Sequence, residues 1–407
     1  MTRISAKYYI ETPDDAGKTA SLMAKMQSTG TWKDLKGEAA LEGRFGARVE
    51  SVNVTGNNET YSLPTRYPAG KKVTSAEVII SYPWENFGPK ISMLLTTVAG
   101  EIFDMYELTA VKLMDIEMPD DFIKLFPGPR FGIDGTRKIS GAFKRPLFGA
   151  ITKPCVGLSP NQQAELAYQA ASAGADFIKD DELLADAPYN SVKDRAKAVG
   201  DAMKESFKKT GKRTMYAVNI TDDPDRTLKL HDTVKKSGAG ALMFNSFTGG
   251  LNNLCVLARH TKLPIHLHRD FAAASLRSAY IGISPVVYVK LARMCGADQI
   301  QCGGLGGYLY ESDDEMLQSM RACTAPMGGL KPALPVSSGG MWAGKLAGNI
   351  KKIGNNDFMF LCGGGVFGHP DGGYAGMRSL YEAWDEYNGK PEGNNLNAAR
   401  KAFEKKI

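Results

Sequence analysis

No Cys-x-x-Cys pair occurs in the chain, although it has six cysteines, Cys155, Cys255, Cys295, Cys302, Cys323 and Cys362. Neither a zinc knuckle nor a dithiol redox motif is indicated. Six cysteines spread through 407 residues do not make a disulfide scaffold, which points to a reducing compartment. The opening MTRISAKYYIETPDD lacks an apolar signal core, and no run reaches membrane-spanning length. The expectation is a cytoplasmic protein with no membrane partner. Basic runs are also missing. Lysines come in scattered pairs (Lys208-Lys209, Lys235-Lys236, Lys351-Lys352) and the net charge is only +6, so nucleic acid is not an expected partner. Low-complexity segments and repeats visible by identity are absent. What remains is ordinary globular composition, 43% hydrophobic and 23% charged, with ample length for a large core.

Up to about residue 135, two helical patterns (14–27 and 90–98) mix with alternating strands (76–82 and 110–116), as in a small α+β domain. A Gly/Pro-rich stretch, 128–135, then reads as a linker. Beyond it short apolar runs recur at 148–152, 176–179, 215–219, 241–245, 265–268, 299–301, 334–337 and 358–362. Each ends in polar residues and is followed by a helical stretch. Eight such units suit a closed (β/α)8 TIM barrel better than an open doubly wound sheet. The expected domains are 1–135 and 136–407, the second carrying a C-terminal helical tail.

Barrel chemistry sits at the C-terminal ends of the strands. Those ends carry Lys153, then Lys179 with Asp181 and Glu182, Asn219, Asn245, His266 and His268, Gln301, Ser337 and Ser338, and a glycine run. The stretch GADFIKDDE crowds Lys179 against Asp180, Asp181 and Glu182. In isolation it is a solvated turn with acids favouring the next helix. At a barrel mouth, neighbouring carboxylates repel unless a cation or proton intervenes. Asp181 and Glu182 offer hard oxygen ligands suited to Mg2+. A neutral lysine can take up CO2 as a carbamate and become a third anionic oxygen ligand. Pro154 keeps Lys153 extended at its strand end, and a nearby cation would depress the amine's pKa enough for it to act as a base. His266 and His268 share one strand face, but no third soft ligand for zinc is apparent. Arg269 beside them suits an anion. Ser337-Ser338-Gly339-Gly340 and Gly363-Gly364-Gly365 lie where loops after barrel strands seven and eight bind phosphate.

Together GADFIKDDE, GAITKPCVGLSP, STGTW (28–32), NSFTGG (245–250), PVSSGG and GGGVFGHP resemble the ribulose-bisphosphate carboxylase large-subunit superfamily, in the right order through nearly the whole chain. The resemblance implies a small α+β ferredoxin-like N-terminal domain before the barrel. It implies Lys179 as the carbamylated lysine, with Asp181 and Glu182 as the other Mg2+ ligands. Lys153 matches the enolising lysine and His268 the active-site histidine. Arg269, Ser338, Gly339, Gly340, Gly363 and Gly364 match phosphate-binding positions, and Gln301 stands where a histidine helps hold the second phosphate.

Departures place the chain in the RuBisCO-like branch. Tyr308 replaces the loop lysine that stabilises a carboxylated intermediate, Cys155 a second lysine, Met26 the glutamate ahead of STGTW, and Glu101 an asparagine near the metal. CO2 fixation is therefore not expected. The resemblance implies a homodimer acting on a phosphorylated sugar-derived ketone, whose far end is less anionic than in a bisphosphate. Isomerisation of 5-methylthioribulose 1-phosphate by 1,3-proton transfer ranks first. Enolisation of 2,3-diketo-5-methylthiopentyl 1-phosphate and decarboxylation or transcarboxylation-hydrolysis of a phosphorylated 3-oxo sugar acid are alternatives. A non-catalytic regulatory protein is the rival of a different class.

Overall fold

Ile4, Ala6, Tyr8 and Ile10 are fully buried while the residues between them are half-buried, the period-2 signature of a strand covered on one face. In the computed structural model, which describes residues 2–404, this segment is β1 (Arg3–Thr12). It lies at the centre of a five-stranded sheet. On one side it pairs antiparallel with β3 (Val73–Pro83), which pairs in turn with β2 (Arg48–Asn58), a largely exposed edge strand. On the other it pairs antiparallel with β4 (Ala110–Glu117). The alternation of β1 is present in the sequence, yet only β3 and β4 stand out in it, and β2, largely exposed and broken by two register shifts, does not alternate.

The barrel strands follow: β5 (Leu147–Ile151), β6 (Phe177–Lys179), β7 (Met215–Asn219), β8 (Ala241–Asn245) and β9 (Ile265–His268). The next strand, β10 (Ile281–Ile283), does not join them. It pairs parallel with β4 at the edge of the first sheet, Ile281 opposite Val111. The barrel resumes with β11 (Gln299–Gly303), β12 (Leu334–Ser338) and β13 (Met359–Cys362) and closes in the order β11-β12-β13-β5-β6-β7-β8-β9. All eight expected strands form, three with the expected bounds and five with an end moved by one or two residues. Each is buried along its length, as parallel strands covered by helices must be. Leu147, Phe177, Met215, Met243, Val336, Met359 and Leu361 form the inner core.

One compact unit holds the chain up to Phe126 with Phe271–Leu291 and Met327–Gly329. The other holds Pro127–Asp270, Ala292–Pro326 and Leu330 onward.

Two features of the second unit fix its loops. Ser159 caps Pro160–Ser172 and Ser312 caps Asp313–Thr324, each in a reciprocal box with Gln162 or Glu315, so the loops after β5 and β11 end at defined points. Asp298, just before β11, accepts the backbone N–H groups of Phe131 (2.5 Å), Gly132 (2.9 Å) and Ile265 (3.0 Å). All six cysteines are free, and two that lie 21 residues apart, Cys302 and Cys323, approach to 3.5 Å. Among the described residues no helix is long and apolar enough to cross a membrane.

Candidate active site at the barrel mouth

A strand sends successive side chains to opposite faces, and this resolves the crowded KDDE run. Asp180 points outward through the barrel wall, fully buried. It accepts from Arg195 Nε (2.9 Å), Gln163 Nε2 (2.7 Å), Tyr216 Oη (2.6 Å) and the backbone N–H of Asn219 (2.9 Å). Arg195 and Gln163 belong to the helices Val192–Thr210 and Pro160–Ser172, so Asp180 ties β6 to its covering layer. Lys179 and Asp181 point the other way, into the barrel mouth. Ala217, in register beside Lys179 on β7, contributes only a methyl group there.

Inside the mouth two lysines meet two acids. Lys153, beyond the end of β5, pairs with Asp181 and lies 3.1 Å from Cys155 Sγ. Lys179 Nζ donates to Glu182 Oε2 and to the carbonyl of Asp180, both at 2.9 Å. His268 Nε2 is 3.4 Å from the same Glu182 oxygen. Its Nδ1 accepts the backbone N–H of Asp270 at 3.1 Å, which leaves the proton of a neutral ring on Nε2, facing the mouth. Burial first, and then the charge of Lys179, pull the His268 pKa down to about 3, so a neutral ring faces Glu182 at 3.4 Å rather than forming an ion pair with it. Burial works against ionised Glu182, but the charge and hydrogen bond of Lys179 more than offset it and hold its carboxyl well below the usual range. Burial also works against charged Lys153, and hydrogen bonds to Asp181 and Cys155 outweigh it, so the amine is held protonated. The depressed pKa expected for Lys153 depends on a cation; with Asp181 as its partner the shift runs the other way.

The donor set fits Mg2+ with a carbamate on Lys179. As they stand, two ammonium groups and two carboxylates sum to zero. Turning an ammonium into a carbamate adds two negative charges by releasing two protons, and one Mg2+ restores neutrality with Lys153 still charged. Enclosed groups of low net charge avoid the desolvation penalty of an unpaired ion. The hard oxygens of Asp181, Glu182 and the carbamate match Mg2+.

The remaining expected residues divide. Gly363 joins the lysine-acid cluster, where a side chain would come within 3.0 Å of Lys153 Cε. Gly339 and Gly340 have φ of +108° and +73°, which disfavours any other residue, and their loop packs against the loop carrying Tyr308. Ser338 is buried at the end of β12, whereas Ser337 turns outward to Asn349 (2.7 Å). Gln301 lies deeper, its Nε2 3.3 Å from His266 Nε2, while His266 Nδ1 meets Gln299 at 3.2 Å. His266 is thus a core histidine, separate from the cluster around His268. Arg269 is not open: both terminal guanidinium nitrogens pair with Glu311, Nη1 at 2.6 Å from Oε1. No local signal in the sequence singles out Glu311, Arg195 or Gln163; seven residues of loop separate Glu311 from the end of β11, and only folding brings it back to Arg269. Tyr308 is 73% exposed.

Comparison with known proteins matches residues 132–405 to the ribulose bisphosphate carboxylase large chain, catalytic domain, and residues 2–122 to its N-terminal domain. A ribulose bisphosphate carboxylase-like protein of Bordetella bronchiseptica is 43% identical over 94% of this chain and 92% of its own. The 3-oxo-isoapionate-4-phosphate transcarboxylase/hydrolase of Xanthobacter autotrophicus is 36% identical, covering 94% and 93%. The crystal structure of a rubisco-like protein from Burkholderia fungorum superposes with a TM-score of 0.91 at 32% identity, covering 99% of this chain and 100% of that one.

Proposed function

The chain belongs to the ribulose bisphosphate carboxylase large-chain family, and from that premise we propose that it is a RuBisCO-like, Mg2+-dependent enzyme that forms an enolate from a phosphorylated ketone without fixing CO2. One observation carries this reading: Lys153 with Asp181, and Lys179 with Glu182 and His268, converge in one buried mouth at the ends of β5, β6 and β9.

In this reading Lys179 as a carbamate, Asp181 and Glu182 hold the metal. Bound Mg2+ supplies Lewis acidity that polarises the carbonyl and lowers the cost of removing the adjacent proton. Lys153, once Asp181 is engaged as a metal ligand and the ammonium has lost its own proton to solvent, takes that proton as the neutral amine. His268 offers its Nε2 proton to a substrate oxygen. Backbone N–H groups around Ser338, Gly339, Gly340, Gly363 and Gly364 take one phosphate: the turn Gly364–Phe367 leaves its first N–H groups without a partner within it, and Gly339 and Gly340 have no side chain to keep an anion off. The far end of the substrate is not a second phosphate, because Glu311 already neutralises Arg269. Tyr308 gives a developing carboxylate no positive charge.

The first substrate to test is 3-oxo-isoapionate 4-phosphate, because the Xanthobacter protein named for it is similar along nearly the whole chain. Loss of its carboxyl group leaves the same enolate that proton removal would. Isomerisation of 5-methylthioribulose 1-phosphate is the second reading, favoured by the Arg269–Glu311 pair, which leaves the far end fit for an uncharged tail. A homodimer belongs to the same proposal: Trp32, in STGTW, is 77% exposed in the single chain, an aromatic surface available to a partner.

The deciding experiment offers each substrate in heavy water to protein pre-incubated with bicarbonate and Mg2+. CO2 or carboxyl transfer from the first supports carbon–carbon cleavage, and deuterium uptake with an isomerised product from the second supports isomerisation. No turnover and no exchange on either, with Mg2+ bound, would remove enolate formation on these substrates as the function.

A further inference from the structure

Away from the mouth, three ligand-bearing side chains meet on the helices that cover the barrel. His231 and Asp232 lie on the helix Pro224–Ser237 and His260 is the last residue of the helix Leu251–His260. His231 Nδ1 is 3.0 Å and His260 Nε2 3.2 Å from the same oxygen, Asp232 Oδ1. The three ligand atoms all lie within 4.8 Å of one another. The two imidazoles stand nearly perpendicular, with centroids 4.8 Å apart.

We propose that His231, Asp232 and His260 form a second metal site, selective for a borderline divalent cation such as Zn2+, with one position open to water. A tetrahedral ion about 2.0–2.1 Å from each nitrogen and oxygen keeps its ligand atoms roughly 3.3 Å apart. Both separations from Asp232 are close to that edge, and the third, between the two imidazole nitrogens, is within 4.8 Å. Imidazole nitrogens favour Zn2+ and its neighbours, whereas Mg2+ and Ca2+ prefer oxygen alone.

The buried ring is held for the task. His231 Nε2 is 3.0 Å from Thr261 Oγ1, and that oxygen also accepts the backbone N–H of Leu263 at 2.9 Å. With Nε2 engaged there, Nδ1 is the nitrogen left for a metal, the usual arrangement in which an outer hydrogen bond orients a ligating histidine. His260 and Asp232 are 42% and 56% exposed at the side chain, which gives an ion a way in. His260 ends a helix that leads into β9, so it sits toward the face where barrel strands begin, opposite the catalytic end. A cation there would pin the last turn of one helix to its neighbour and act on stability, not on turnover.

The test uses the untagged full-length protein with Co2+ as the probe, after pre-incubation with bicarbonate and excess Mg2+ so that the oxygen-rich mouth is occupied. One Co2+ per chain is expected, with visible d–d bands of a low-coordinate ion and no thiolate charge-transfer band, which sets aside the six cysteines. His260→Ala and Asp232→Asn, both at exposed positions, should each abolish this binding. Thr261→Val should weaken it by about 10–100-fold. Zn2+ should raise the melting temperature of the wild type and leave that of His260→Ala unchanged. Cobalt stoichiometry and affinity equal in wild type and both ligand variants would overturn the site, as would no bound cobalt in the wild type. Loss in only one of the two variants would overturn the three-ligand assignment.

Discussion

Asp180 and Asp181 are adjacent in the chain and lie on opposite sides of the barrel wall: the first is held by Arg195 at 2.9 Å, the second by Lys153 in the mouth. The outward pair positions the inward one. Asp180, Arg195, Gln163 and Tyr216 form a buried polar knot that sets the end of β6 and so the aim of Lys179 and Asp181.

Breaking that knot from one side should be costly. Arg195→Met leaves the Asp180 charge buried without its cation, and removing one partner of a buried pair typically costs about 3–5 kcal/mol. Urea unfolding of the variant should show this loss, with a mouth that binds Mg2+ less well. A loss below about 1 kcal/mol would mean that the other three hydrogen bonds to Asp180 suffice.

If Lys179 carries the proposed carbamate, charge balance in the mouth should make CO2 and Mg2+ binding depend on each other. Calorimetric titration should give tight Mg2+ binding only after bicarbonate pre-incubation, and Lys179→Ala should abolish that dependence together with activity. Equal Mg2+ affinity with and without CO2 would sink the carbamate assignment.

Lys153→Met should leave phosphate-loop binding nearly unchanged while lowering proton exchange by about 10²–10⁴-fold, the usual effect of losing a positioned base. Deuterium exchange followed by NMR separates the two effects. Wild-type exchange in this variant would move the role of base elsewhere.

Opening the second anion pocket requires only one change. Glu311→Gln removes the charge that neutralises Arg269. The variant should bind a bisphosphorylated sugar about tenfold tighter or better, an effect of roughly 1.4 kcal/mol. If affinity for the bisphosphate is unchanged, Arg269 is not facing the substrate channel.

Asp298 supplies a pH signature of folding. Burial pushes its carboxyl above the ordinary value, and the N–H groups of Ile265, Gly132 and Phe131 offset this only in part. The folded protein therefore holds the proton more tightly than the unfolded chain, whose aspartates titrate near about 3.9. In the window from there up to the raised folded value, this group makes stability fall as pH rises. Asp298→Asn should be less stable overall, by about 1–3 kcal/mol for spoiled acceptors. It should also lose that downward slope, which denaturation across the acidic range can measure. The same slope in both proteins would assign it to another group.

Much of the barrel was legible in advance because each parallel strand is buried on both faces and must therefore be a short apolar run between polar ends. β5 to β9 and β11 to β13 obey that rule. β10 did not stand out: it has three half-exposed residues, and its pairing with β4 joins segments some 170 positions apart. In the mouth, Lys153, Lys179, Asp181 and Glu182 were visible because strand ends collect polar residues and because their local run is so heavily charged.

The sequence by itself determined which residue types stand at the strand ends, and through its ordered motifs the family to which they belong. The tertiary structure decided the partners. It turned Asp180 out to Arg195, closed Arg269 with Glu311, sank His266 against Gln299 and Gln301, and brought His231, Asp232 and His260 together from two helices. Local pattern follows from burial and strand or helix period, which a few neighbouring residues settle. A pairing across tens of residues depends on which loops the closed barrel brings face to face, and no local pattern encodes that.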